Sequence, residues 1–345
     1  MNNNTIYLAV TVAFMIGLAI IGIMISRGVK SSEDWMVAGK SLGKIPMAGT
    51  YFATIVSATS IMSYMGYYYL NGWPGWWNAA GTLMTSFLAC IYFARKVRQS
   101  ECNTLPEFIE KRYSRAFSIP ASLLVVLCCT ALLANQVTGA VILLQSFVDW
   151  STITCCVILL LVFIVFTCIG GMKAVAWTDT VCALVIIVGV WIIAGEFLFR
   201  VGGFTAMNEG IAAVDPEFVQ GFSVSIPPMT ALSWVITWGI CNFGAPQFVA
   251  RFMSAESPEV ASKSQGITGI GLLLFYVPLA IIGLCGILIH PGIEKQDAVF
   301  TTLIMSEVTP LMGAVMLAAV VAAIISTADS LLLLVATTFT HDFYC

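Results

Sequence analysis

Residues 311–338 read LMGAVMLAAVVAAIISTADSLLLLVATT. A helix crosses a bilayer with about 20 apolar residues, so this run spans one. It carries one charge, Asp329, and around it Ser326, Thr327, Asp329 and Ser330 put four oxygen-bearing side chains into five positions. Ser326, Asp329 and Ser330 recur at i, i+3 and i+4 and share a helical face, with Thr327 about 100° around. Hard oxygen donors suit an alkali cation or a proton, not a soft metal. Hydroxyls alone prove little, because Ser and Thr also bond back to their own helix or join neighbouring helices. An intramembrane carboxylate on the same face is a stronger signal, since a charge there is costly unless paired or wetted.

Eight further segments of comparable character precede it, at about 5–26, 46–70, 74–94, 117–148, 151–170, 178–199, 229–249 and 267–289, giving about nine spans in all. The first lacks the basic start of a signal peptide and is too long for one. The composition agrees: of 345 residues, 59% are apolar and 10% charged, against about a quarter charged in soluble domains. A water-soluble globule and a basic nucleic-acid-binding surface are both excluded. With two histidines, His290 and His341, and no Cys-x-x-Cys, the chain has no zinc or haem pattern. The eleven cysteines lie mostly in or beside apolar runs, where Cys acts as a small hydrophobe.

Thirteen of the fifteen Lys and Arg residues fall in alternate loops, and only Arg200 and Lys295 lie on the other side. Cytoplasmic loops carry the excess of cations, so the N-terminus is expected outside and the C-terminus in the cytosol, in a membrane that is expected to be a bacterial plasma membrane. Within the cation-rich loops, NTLPEFIEKRYSRAF (103–117) has a helix-start pattern with an early proline; it reads as an amphipathic cytosolic helix or as a solvated connector. On the other side, FTAMNEGIAAV (204–214) reads as a short surface helix.

Two more spans are unusual. Span 2 contains ATIVSATSIMS (53–63), rich in small and hydroxyl residues, and span 7 contains WGICNFGAP (238–246), interrupted by Gly and Pro. Each alone reads as a kink. A pair of broken helices at corresponding places in opposite-facing repeats points to a secondary transporter with a site at the membrane midplane. Asp179 opens span 6 and reads either as a functional carboxylate or as an acid at a helix N-terminus near the interface. Glu196 is expected at the opposite interface.

With these residues in view, the chain resembles the sodium:solute symporters, which include sodium/proline, sodium/pantothenate and sodium/galactose carriers. The resemblance runs through DWMVAGKSLG (34–43), TLPEF (104–108) with Arg112-Tyr113, GGMKAV (170–175) with Trp177-Thr178-Asp179, FGAPQ (243–247) leading to Arg251-Phe252-Met253, and STADS (326–330). It implies an all-α polytopic membrane protein with a LeuT-type fold of five-plus-five inverted repeats. In a single domain, 1–345, segment 5–26 would be an extra helix, 46–199 the first repeat and 229–345 the start of the second. The repeats call for two more core helices after span 9. The expectation is therefore a C-terminally shortened chain, weak or inactive alone.

The resemblance further implies a sodium site between spans 2 and 9, with carbonyls of Ala53, Val56 and Ala323 and hydroxyls of Ser326 and Thr327. Some members, such as sialic acid transporters, hold a second sodium; here its residues would be Asp179, Asp329 and Ser330. The solute would meet Thr59, Ser60, Asn135, Gln136, Trp238, Asn242 and Pro246. Galactose carriers stack the sugar on a Tyr where this chain has Thr237, which disfavours a hexose. Trp238 and Pro246 match the pocket of the proline carriers, and Asn242 stands where they have Tyr. The expected activity is sodium-coupled symport of an amino acid or carboxylate, with sodium as coupling ion, no organic cofactor and no enzymatic step. The alternatives are a non-transporting sensor, an inactive symporter fragment and, remotely, an intramembrane aspartyl protease, whose Gly-x-Gly-Asp is missing.

Overall fold

The computed structural model describes residues 3–146, 148–240 and 244–344, and these are helical apart from turns and one isolated bridge between Leu42 and Ala255. The chain opens with α1 (Asn3–Ser26) and the short α2 (Ser32–Val37). Ser31 caps α2, accepting from the Asp34 N–H while Asp34 accepts from the Ser31 N–H, a reciprocal capping box. Next come α3 (Lys44–Ile55) and α4 (Ala58–Asn71), the two arms of span 2. α5 (Trp76–Leu88) runs through a π-turn at Ala89–Phe93 into α6 (Ala94–Gln99). α7 (Leu105–Arg112) is the expected amphipathic helix, with Thr104 accepting from the Glu107 N–H. α8 (Arg115–Gln145) and α9 (Thr152–Arg200) follow, then the surface helix α10 (Phe204–Val214). The second broken pair is α11 (Pro228–Ile240) and α12 (Pro246–Ser254). α13 (Pro258–Ile289), α14 (Val299–Glu307) and α15 (Pro310–Thr337) complete the bundle.

Among the described residues five helices are long and apolar enough to span a membrane singly, and α3 with α4, bent by 57°, counts as a sixth if the bent pair is one span. The other three expected spans are interrupted. Segment 74–94 holds the π-turn, 229–249 is split between α11 and α12, and 151–170 yields a shorter apolar helix, Thr152–Cys168. Spans 5 and 6 are the two helical halves of α9, separated at Gly171, whose φ of 55° and ψ of −177° break the helix. A Cβ on Gly171 would lie within 3.1 Å of Trp35 backbone, so glycine serves both the positive φ and the close approach.

Hydropathy does not tell the central helix from the peripheral one. α15 has 83% of its most apolar window buried and α1 only 17%, with α1 the more hydropathic. The difference lies in side-chain size. Ala314, Ala318, Ala319, Ala322, Ala323 and Ala328 are all fully or almost fully buried, and small residues let backbones approach where lipid gives no hydrophobic drive.

A second close approach joins α3 to α9. A Cβ at Gly49 would come within 2.8 Å of the Thr180 Cα, and backbone cannot yield as a side-chain tip can. Gly49→Ala is expected to destabilise the protein by about 1–3 kcal/mol, read as a lowered melting temperature in detergent; an unchanged value would contradict this packing.

Outside the spans, Glu101 pairs with Arg98 and Lys40, while the Arg98 Nε donates to the Ala255 carbonyl at 2.6 Å. The Arg98 hydrogen bond is foremost in holding the Glu101 carboxyl below its ordinary pKa. Its stabilisation is therefore present at neutral pH and lost as pH falls through the lowered value. As a largely exposed contact it contributes little.

Candidate functional site

The break in span 2 is local backbone geometry. Val56 leaves the helix at φ −82° and ψ 80°, and Ser57 is extended, so α4 restarts at a new angle. The Ser60 hydroxyl turns back to the Ile55 carbonyl at 2.5 Å. The interruption leaves carbonyls of α3 without ordinary helical partners, and one of these meets α15. The Thr327 hydroxyl lies 3.2 Å from the Ala53 carbonyl and 3.0 Å from the Ala323 carbonyl. Three of the five residues expected around sodium thus converge in a buried spot, with buried Val56 at the break itself. Ser326, the fifth, donates its hydroxyl hydrogen to Asp179.

The residues expected for a second cation are not arranged as a set. Asp179 is fully buried and accepts from the hydroxyls of Ser326 and, at 2.5 Å, Thr50. Ser330 donates to the Ser326 carbonyl at 2.9 Å and accepts from Arg251 Nη2 at 2.6 Å. Asp329 instead accepts from Thr167 on the first half of α9 at 3.0 Å, and it borders a separate void of about 40 Å³ between α1 and α9. Two carboxylates served by different hydroxyls do not form the shared dyad of an aspartyl protease.

Arg251, a loop cation in the charge pattern, is 1% exposed. Its Nε lies 3.2 Å from both the carbonyl and the hydroxyl of Thr50, and Nη1 donates to the Gln247 carbonyl at 2.7 Å. A closed ring results, Arg251–Thr50–Asp179–Ser326–Ser330, drawn from α3, α9, α12 and α15.

Beside the break lies a cavity of about 560 Å³. Ser60, Asn135, Gln136, Trp238 and Pro246 all line it, as does Thr327. Asn242 and the side chain of Thr59 lie outside the described residues. Tyr64, Thr82 and Gln247 also line it and were not expected. Tyr64 stands one turn beyond Ser60 on α4, a spacing that could have pointed to it. Thr82, on α5, lies 3.4 Å from the Tyr64 hydroxyl. Among the described lining residues none is charged, and among all the described residues no group of three or more His, Cys, Asp or Glu is placed to hold a metal.

Comparison with known proteins gives the family and the fold. The profile of the Sodium:solute symporter family matches residues 35–345. The sodium/proline symporters of Salmonella typhimurium and Escherichia coli are each 27% identical over 350 residues, covering 96% of this chain and 69% of theirs. A Staphylococcus aureus sodium/proline symporter is 24% identical, covering 98% of this chain and 68% of its own. Among solved structures, a Na+-coupled sialic acid symporter, substrate-bound and outward-open, superposes with a TM-score of 0.83 at 21% identity, over 98% of this chain and 73% of that one. The fold is thus the LeuT-like one of that symporter, and the chain belongs to the sodium:solute symporter family.

Proposed function

We propose that the protein is a sodium-coupled symporter of a small organic solute, an amino acid or carboxylate in preference to a sugar. The observation that carries this reading is the shared wall. Thr327, which joins the Ala53 and Ala323 carbonyls, also lines the 560 Å³ cavity, a volume suited to a small molecule. Sodium would be held by Ala53, Val56, Ala323, Ser326 and Thr327. An ion there ties α3 to α15 and holds the broken helix in the shape that forms the cavity. Coupling follows if sodium binds the outward-open state better than the inward-open one, since a ligand shifts an equilibrium only by its differential affinity. The cation-rich loops would face the cytoplasm.

The cavity wall narrows the solute. Its described residues offer no charged side chain, so a zwitterion that carries its own counter-charge fits better than a bare ion. The Oε1 atoms of Gln136 and Gln247 are buried without a protein partner. Both side chains line the cavity, and an unmet acceptor that turns toward it calls for a donor, which an ammonium or iminium of an amino acid supplies.

The test is binding of labelled amino acids, carboxylates and hexoses to the purified protein with and without sodium, followed by uptake into proteoliposomes. An affinity that is indifferent to sodium overturns the reading. In the same assay Gln136→Leu, which removes one acceptor, is expected to weaken solute binding by about tenfold, the equivalent of about 1.4 kcal/mol. Sodium affinity measured without solute should stay unchanged.

A further inference from the structure

We propose that the guanidinium of Arg251 is the resident cation of the second ion position, so that this chain binds a single sodium ion; the inference rests on the sodium-coupled reading above. Arg251 stays protonated in any protein environment, and Asp179 is the carboxylate it faces. Both are buried, and a buried charge left uncompensated is strongly disfavoured. Two hydroxyl bridges connect them. On one side Arg251 Nε lies 3.2 Å from the Thr50 hydroxyl, which donates to Asp179 at 2.5 Å. On the other, Nη2 donates to Ser330 at 2.6 Å, Ser330 donates to the Ser326 carbonyl, and the Ser326 hydroxyl donates to Asp179.

Two of the groups a second sodium would need, Ser330 and Asp179, therefore already lie in the hydrogen-bond circuit of the guanidinium. Ser330 accepts from the guanidinium, and Asp179 accepts from two hydroxyls. Asp329, the remaining expected donor, accepts from Thr167. An added sodium would also meet the guanidinium charge at close range, in a region where water cannot screen it. The Gln247 carbonyl, 2.7 Å from Nη1, pins the guanidinium from its own helix. The charge requirement of Asp179 is met by the chain, and among the described residues the Ala53–Ala323–Thr327 spot is left for a mobile ion.

Equilibrium binding of sodium to the full chain in detergent, by calorimetry and by labelled sodium, tests this. Wild type is expected to bind one sodium per protein with a Hill coefficient of about 1. Arg251→Gln frees Asp179 and Ser330 and should raise the count to two and the Hill coefficient above 1. The double variant Asp179→Asn/Arg251→Gln should return it to one. Two sodium ions in wild type, or an unchanged count in folded Arg251→Gln, would overturn the inference. If Arg251→Gln does not fold, the wild-type count decides. No sodium binding in wild type overturns the sodium-coupled reading itself, and this inference with it.

Discussion

Asp179→Ala is expected to be among the most destabilising single substitutions in this protein, at about 3–5 kcal/mol, the scale for leaving a buried charge uncompensated. The loss does not come from Asp179 alone. Its removal strands Arg251, which is 1% exposed, and leaves the hydroxyls of Thr50 and Ser326 without their acceptor. The double variant Asp179→Ala/Arg251→Met should recover much of the stability, because neither charge then remains buried. Thermal unfolding in detergent reads both. An Asp179→Ala protein that melts with wild type, or a double variant no better than the single, would show that the ring is not a charge-compensating unit.

Thr327→Val should weaken sodium binding by about tenfold to a hundredfold. Valine keeps the shape and removes the oxygen. An interaction of a neutral oxygen with a charged group is typically worth about 1.5–3 kcal/mol, and each 1.4 kcal/mol is about a factor of ten. Thr327→Ser restores the hydroxyl and should restore affinity to within a few-fold. Because Thr327 also lines the cavity, solute affinity is compared at saturating sodium, where it should change less. A sodium titration of Thr327→Val that overlays wild type would remove this residue from the ion site.

Much of the fold and the site is legible along the chain because each relevant signal is local. Hydropathy marks the spans, STADS places hydroxyls and a carboxylate on one helix, and small residues flank the break at Val56. What escapes is long-range pairing. Thr50 and Thr167 look like ordinary helix hydroxyls, and Thr167 indeed also bonds its own helix at Phe163. Nothing in their neighbourhood shows that they meet Asp179 and Asp329, 129 and 162 residues away. Arg251 counts as a loop cation for orientation, since a charge at the end of a span reads the same whether it faces solvent or folds inward. The π-turn at Ala89–Phe93 is equally invisible, because inserting one residue into a helical turn leaves the hydropathy profile almost unchanged.

The seclusion of the Arg251–Asp179 ring has a practical consequence for ionic strength. Mobile ions screen exposed charges over about 10 Å at 0.1 M salt but reach buried pairs much less. The contacts of Glu101 and Arg95 with their partners lie at the surface and will soften as salt rises, whereas the ring will not. Exchanging sodium chloride for choline chloride at constant ionic strength therefore leaves the ring's electrostatics as they are. Any change in thermal stability during that exchange reports occupancy of the ion site, separate from screening.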